Sequence, residues 1–172
     1  ALRAALAAAP AHTLVCVYGF DWERDLSPWP APALGRGRPF SGGAGDCLPL
    51  LTENILPQAE ALLPASPAWR GLAGYSLAGL FAIWALYQTD IFSRAASMSG
   101  SLWYPGLLDY LSARTPPRRP DCLYLSRGDR EARARDTVLK TVRRETEAVA
   151  AHFRAQGIPT ALEFPPGNHF QN

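Results

Sequence analysis

The stretch Arg70-Gly71-Leu72-Ala73-Gly74-Tyr75-Ser76-Leu77-Ala78-Gly79-Leu80-Phe81-Ala82-Ile83-Trp84-Ala85-Leu86-Tyr87-Gln88 decides the fold. Residues 70–75 are a short apolar run, and from Ser76 to Gln88 the apolar positions continue at helical spacing without a gap. The sequence predicts a strand, a tight turn at Ser76 and a helix. A turn this sharp brings strand and helix together, so the residues two before and two after the serine must be small. Gly74 and Ala78 meet that need. The turn lifts the Ser76 hydroxyl above the end of the sheet and aims the Leu77 N–H, at a helix N-terminus, at any negative charge that develops there. Taken alone, the pattern also fits a plain strand-to-helix turn with a serine cap.

The same alternation extends in both directions. Downstream, Ala95–Met98 reads as a small-residue strand followed by SGSLWYPG. Past the proline-rich TPPRRP, Cys122–Ser126 alternates like a strand. Asp136–Gln156 reads as an amphipathic helix marked by Val138, Val142, Val149 and Phe153, with Gly157 as its stop, and Thr160–Phe164 is a last strand. Upstream, residues 1–9 have helical propensity, Pro10 ends them, and Leu14–Tyr18 is strand-like. Asp21–Gly45 is too rich in proline and glycine for a regular element. Asp46 is placed to cap a helix through CLPLLTENILPQAEALL, with Pro57 expected to kink it. Strands separated by helices predict an α/β class with a mostly parallel sheet covered by helices on both faces. No internal repeat or linker divides residues 1–172, which read as a single domain.

Composition narrows the functions. Of 172 residues 48% are hydrophobic and 19% charged, enough for one ordinary core. Seventeen basic against fifteen acidic residues leave a formal charge of +2, dispersed rather than blocked, so nucleic acid is not the expected partner. Lys140 is the lone lysine, a poor basis for Schiff-base chemistry. Cys16, Cys47 and Cys122 cannot all pair and lack zinc spacing, so they read as reduced, mostly buried thiols of a cytoplasmic protein, with no metal or cofactor required. The alanine-rich opening lacks a long apolar core, so no signal peptide is expected, and no run of about 18 apolar residues exists to cross a membrane.

If Ser76 is a nucleophile it needs a base, and three histidines are available. His12 precedes the first strand and His152 lies on the amphipathic helix. His169, in Gly167-Asn168-His169-Phe170 just after the last strand, falls where a parallel sheet gathers loops at its carboxyl ends. The acid is expected after Cys122–Ser126, in Arg127-Gly128-Asp129-Arg130-Glu131. Glu131, farther round the turn and longer in reach, is preferred over Asp129, which can instead form the turn with its own backbone. Serine, acid, histidine is the chain order of the α/β-hydrolases.

With these residues in view, the chain resembles the esterase branch of the α/β-hydrolases that includes the siderophore (enterochelin-type) esterases. The matching segments are Arg24-Asp25-Leu26-Ser27-Pro28, GLAGYSLAGLFAIWAL, SMSGSLWYPG, LYLSRGDREARARD and FPPGNHF, spanning nearly the whole chain from about residue 14. The resemblance implies that Ser76 is the nucleophile, His169 the base and residues 128–131 the acid loop. Some members work with a serine–histidine dyad, which keeps the acid assignment open, and Asp129 stands as the alternative acid to Glu131. It places Trp103, beside Tyr75 and Arg24, among the substrate-binding residues and implies a small-molecule ester substrate without metal or cofactor. Relatives carry further strands before the one expected at Leu14, one of which supplies a second oxyanion N–H; the chain has no counterpart of it. The expected function is therefore serine carboxylic-ester hydrolysis, on siderophore-like lactones among other esters. The alternatives are acyl transfer by the same fold and a decayed hydrolase that only binds. Arg24, in the long loop, is expected to hold an anionic substrate by its fork, and Arg36 and Arg38 to be solvated.

Overall fold

A computed structural model describes residues 12–131 and 141–169. The expected helix over residues 1–9, the Val138 marker and the beginning of the expected 136–156 helix lie outside the described residues.

Four strands, β3 (Gly71–Tyr75), β4 (Arg94–Met98), β5 (Cys122–Ser126) and β6 (Thr160–Glu163), form a parallel sheet in sequence order. The register pairs Gly74 with Ser97 and Tyr75 with Met98, then Ser97 with Leu125 and Met98 with Ser126. Parallel neighbours need helical crossovers, and these are α4 (Leu77–Ala85), α5 (Leu107–Ser112) and α6 (Val142–Ala155). The α/β class expected from the sequence is the observed one.

Eight of the nine α4 residues are buried, including Leu80, Phe81, Ile83 and Trp84. A helix apolar on every side must sit inside the protein, and α4 packs on β3 and β4 as the centre of the core. The amphipathic α6 buries Val142, Val149 and Phe153. Tyr87, just past α4, touches Tyr110 of α5 and Phe153 of α6, so aromatic contacts link the three crossover helices. Gly157 ends α6 at φ +70°, a left-handed conformation that glycine takes without a Cβ clash. Helix α5 was not expected from the sequence, because it is short and follows directly on the SGSLWYPG turn.

Three upstream expectations are corrected. Leu14–Tyr18 is no strand: residues 12–20 pair with no other strand among the described residues, and Leu14, Val15, Val17 and Tyr18 are exposed. Strand propensity is realised only when a ladder and a buried face are on offer. The Asp21–Gly45 loop is more ordered than expected, with a helical turn α1 (Trp22–Asp25) and a two-residue antiparallel pair, β1 (Pro30–Ala31) and β2 (Phe40–Ser41). Asp46 is not the N-cap of the following helix. That helix, α2, runs over Ala44–Pro49 with Gly43 as its cap and Asp46 in its first turn. It continues as a π-helical turn over Leu50–Ile55 and as α3 over Leu56–Glu60. Pro57, where a kink was expected, falls in the first turn of α3 directly after the π-helical turn, a position that tolerates its missing N–H.

Candidate active site

Ser76 joins β3 to α4 at φ 56° and ψ −121°. Left-handed backbone costs a residue with a Cβ on the order of 1–2 kcal/mol, so the fold must over-determine this turn. It does so through the Ser76 N–H, which donates to Met98 O, and Ser76 O, which accepts from Leu80 N and Ser101 N. Gly74 is indispensable to the same turn: a Cβ there would stand 2.1 Å from the carbonyl oxygen of Ala78. Leu77 is the first residue of α4, and its N–H is one of the helix-start donors with no intrahelical acceptor.

The structure brings Ser76, His169 and Glu131 together from 93 and 38 residues apart. His169 Nε2 lies 3.2 Å from Ser76 Oγ, and His169 Nδ1 lies 3.1 Å from Glu131 Oε2. In the tautomer that fits, Nδ1–H donates to the carboxylate and Nε2 accepts from the serine hydroxyl. The Glu131 side chain is nearly buried, and its other oxygen, Oε1, accepts from Ser99 Oγ at 2.7 Å and from Gly128 N at 2.6 Å. Tyr75 stacks near the imidazole, with centroids 5.1 Å apart. Burial raises its phenol above the ordinary value, partly offset by a hydrogen bond with Ser99.

Asp129 does different work. Its Oδ1 accepts from Gly167 N at 3.0 Å, while Asp129 N and Arg130 N donate to Pro165 O and Gly167 O. The acid loop is thereby laced to the loop that carries His169.

A cleft of about 180 Å³ opens at Ser76, walled by Trp22, Leu34, Phe40 and Trp103, with Glu23 and Arg38 at its polar side. Trp103, named by the resemblance as a substrate-binding residue, lines this cleft. Arg24 does not line this cleft. Its Nε donates to Asp25 Oδ1 at 2.8 Å, and its side chain is 62% exposed. The arginine at the cleft is Arg38, 65% exposed as the sequence led one to expect, and its Nη2 donates to Asp21 Oδ1 at 2.8 Å and to Glu23 Oε2 at 2.5 Å. Sequence reasoning missed Arg38 because both its acidic partners lie 15 or more residues away. It also missed Ser99, although a serine directly after a strand, beside Gly100, was a usable signal. Cys47 is buried, and burial pushes its thiol up to about 11, but Cys16 is exposed rather than buried.

The model of the family described as "Putative esterase" matches residues 25–170. The chain belongs to this esterase family. No curated protein matches it. Among solved structures it is similar to an IroE-like serine hydrolase from Shewanella oneidensis, at 21% identity and TM-score 0.73, over 90% of this chain and 53% of that one. It is also similar to the siderophore hydrolase EstA from Aspergillus nidulans, at 23% identity and TM-score 0.65, over 87% and 60%. The enterobactin esterase FES from Shigella flexneri matches at 24% identity and TM-score 0.59, over 73% and 34%. At these identities the likeness is one of fold, and the chain spans about half the length of the Shewanella hydrolase. Among the described residues no helix is long and apolar enough to cross a membrane.

Proposed function

We propose that the protein is a serine carboxylic-ester hydrolase. The observation that carries the reading is the unbroken relay from Ser76 Oγ through both nitrogens of His169 to Glu131, set on a strained turn at a helix N-terminus. Ser76 Oγ attacks the ester carbonyl and His169 Nε2 takes its proton. The tetrahedral oxyanion draws on the Leu77 N–H, and on collapse the imidazolium returns the proton to the departing alcohol. Water, deprotonated by the same nitrogen, then attacks the acyl-enzyme and releases the carboxylic acid and free Ser76. Glu131 stabilises the imidazolium in both halves. The substrate is a small-molecule ester whose acyl part contacts Trp103 and the other cleft walls. A siderophore-like lactone is the narrower form of the proposal, supported by the names of the Shigella and Aspergillus neighbours.

Labelling with a fluorophosphonate tests the reading, because only an activated serine is phosphonylated. The wild-type protein should label, and Ser76→Ala should lose both the label and turnover of p-nitrophenyl acetate by on the order of a thousandfold or more, with His169→Ala nearly as severe and not additive with it. Labelling that survives Ser76→Ala, or turnover within tenfold of the parent, would sink the assignment.

A further inference from the structure

Two residues other than glycine hold a positive φ among the described residues: Ser76 at 56° and Ser99 at 46°. They follow neighbouring parallel strands, β3 and β4, at the same end of the sheet. Backbone strain persists only where the surroundings over-determine it, and it clusters where a side chain must be aimed. For Ser76 the aim is plain. Ser99 is the first residue after β4, and a glycine stands next in the chain at position 100 without taking over the strained conformation.

What the strained backbone achieves is visible in the hydrogen bonds. Ser99 N donates to Ser126 O at 2.7 Å, fixing the residue against the end of β5, and its buried hydroxyl donates to Glu131 Oε1. Gly128 N donates to the same oxygen, so the two donors engage Oε1 while Oε2 faces His169 Nδ1. A glutamate side chain has three rotatable bonds, and the loop around it is tied to the His169 loop through the Asp129 carboxylate, which accepts from Gly167 N, and through Asp129 N and Arg130 N. Two donors on one oxygen fix the carboxylate plane and leave the other oxygen directed at the imidazole.

Resting on the reading of Ser76, His169 and Glu131 as a catalytic relay, we infer that Ser99 is a positioning residue for that relay: its left-handed backbone aims Oγ at Glu131 so that the carboxylate presents Oε2 to His169. Ser99 does not line the cleft at Ser76, and its effect on the relay is exerted through Glu131.

Steady-state kinetics of three variants on p-nitrophenyl acetate test this in the full-length protein. Ser99→Ala and Ser99→Gly should each lower kcat roughly tenfold, the loss of one hydrogen bond to a charged group, with KM within about twofold. Glycine accepts the backbone conformation freely, so Ser99→Gly keeps the test clear of folding defects, and thermal melting verifies that. In a Glu131→Ala background Ser99→Gly should cost less than about twofold more, because no carboxylate is left to position. A merely structural serine would cost as much there as in the parent. Full kcat in Ser99→Gly, a loss carried by KM, or an undiminished loss beside Glu131→Ala each overturns the inference. Failure of fluorophosphonate labelling at Ser76 would instead remove the hydrolase reading beneath it, whereas normal labelling with a damaged Glu131→Ala and a silent Ser99→Gly removes the positioning role only.

Discussion

The carboxyl end of the sheet and the 21–41 segment that walls the cleft are built in opposite ways. At the sheet end every side chain that touches the relay leaves a strand or the turn after it, and backbone hydrogen bonds tie those turns to one another: Ser76 N to Met98 O, Ser99 N to Ser126 O, Asp129 N to Pro165 O. In the wall, a helical turn and a two-residue strand pair are joined by part-exposed ion pairs, with Arg38 bridging Asp21 and Glu23 and Arg24 bonded to Asp25. The first region fixes atoms to within a hydrogen bond, as covalent chemistry needs. The second offers apolar area and a few charges, which govern affinity and selectivity. Substitutions at the sheet end should therefore act on kcat, and those in the wall on KM.

The largest test of that division sets two acids of one loop against each other. Glu131→Gln should lower kcat by on the order of a thousandfold with little change in KM, since the amide neither fixes the imidazole tautomer nor stabilises its charge. Asp129→Asn retains a carbonyl oxygen for the Gly167 N–H and should cost less than about tenfold. Equal losses would erase the distinction between relay and lacing, and a large loss in the Asp129 variant alone would transfer the acid's role to it.

In the wall a smaller effect is expected, and it separates two arginines. Arg38→Met should change KM several-fold, and differently for a neutral and a carboxylate-bearing ester, because it leaves Asp21 and Glu23 uncompensated at the cleft. Arg24→Lys should alter KM for both esters by the same small factor, since its fork is engaged with Asp25 outside the cleft. A KM effect of Arg24→Lys confined to the carboxylate-bearing ester would restore the anion-binding role that the sequence suggested for it.

Smallest is a pH effect behind the wall, at Cys47 in α2. Burial holds its thiol at about 11 against an ordinary 9.0, so the unfolded chain releases the proton first. Stability is unaffected by this group below pH 9 and falls as pH rises from there towards 11. Chemical denaturation at pH 8 and pH 10.5 should show a drop that Cys47→Ala reduces. Thiol reagents at pH 8 should modify Cys16 quickly and Cys47 slowly, and equal rates would show that the wall does not shield α2.

The parts legible in the sequence are those where neighbours along the chain decide the outcome. Gly74, Ser76 and Ala78 announce their turn because its steric demands fall within five residues. Cys122–Ser126 and Leu14–Tyr18 show the limit of such reading. Both are short β-forming runs, but Cys122–Ser126 lies between two partner strands and buries Leu123 and Leu125, whereas Leu14–Tyr18 has no described partner and exposes Tyr18 by 91%. Propensity states what a segment accepts, and a ladder must be supplied from elsewhere.

The sequence by itself determined the four strands of the parallel sheet, the crossover helix after Ser76, the strained serine turn, and the histidine after the last strand, because periodicity and local sterics act over a few residues. Only the tertiary structure decided that Glu131 rather than Asp129 meets His169, that Ser99 holds Glu131, and that Arg38 rather than Arg24 borders the cleft. Those outcomes depend on which loops the parallel sheet gathers at one end. Contacts between residues 32 or 38 positions apart follow from strand register and crossover direction, which no local pattern encodes.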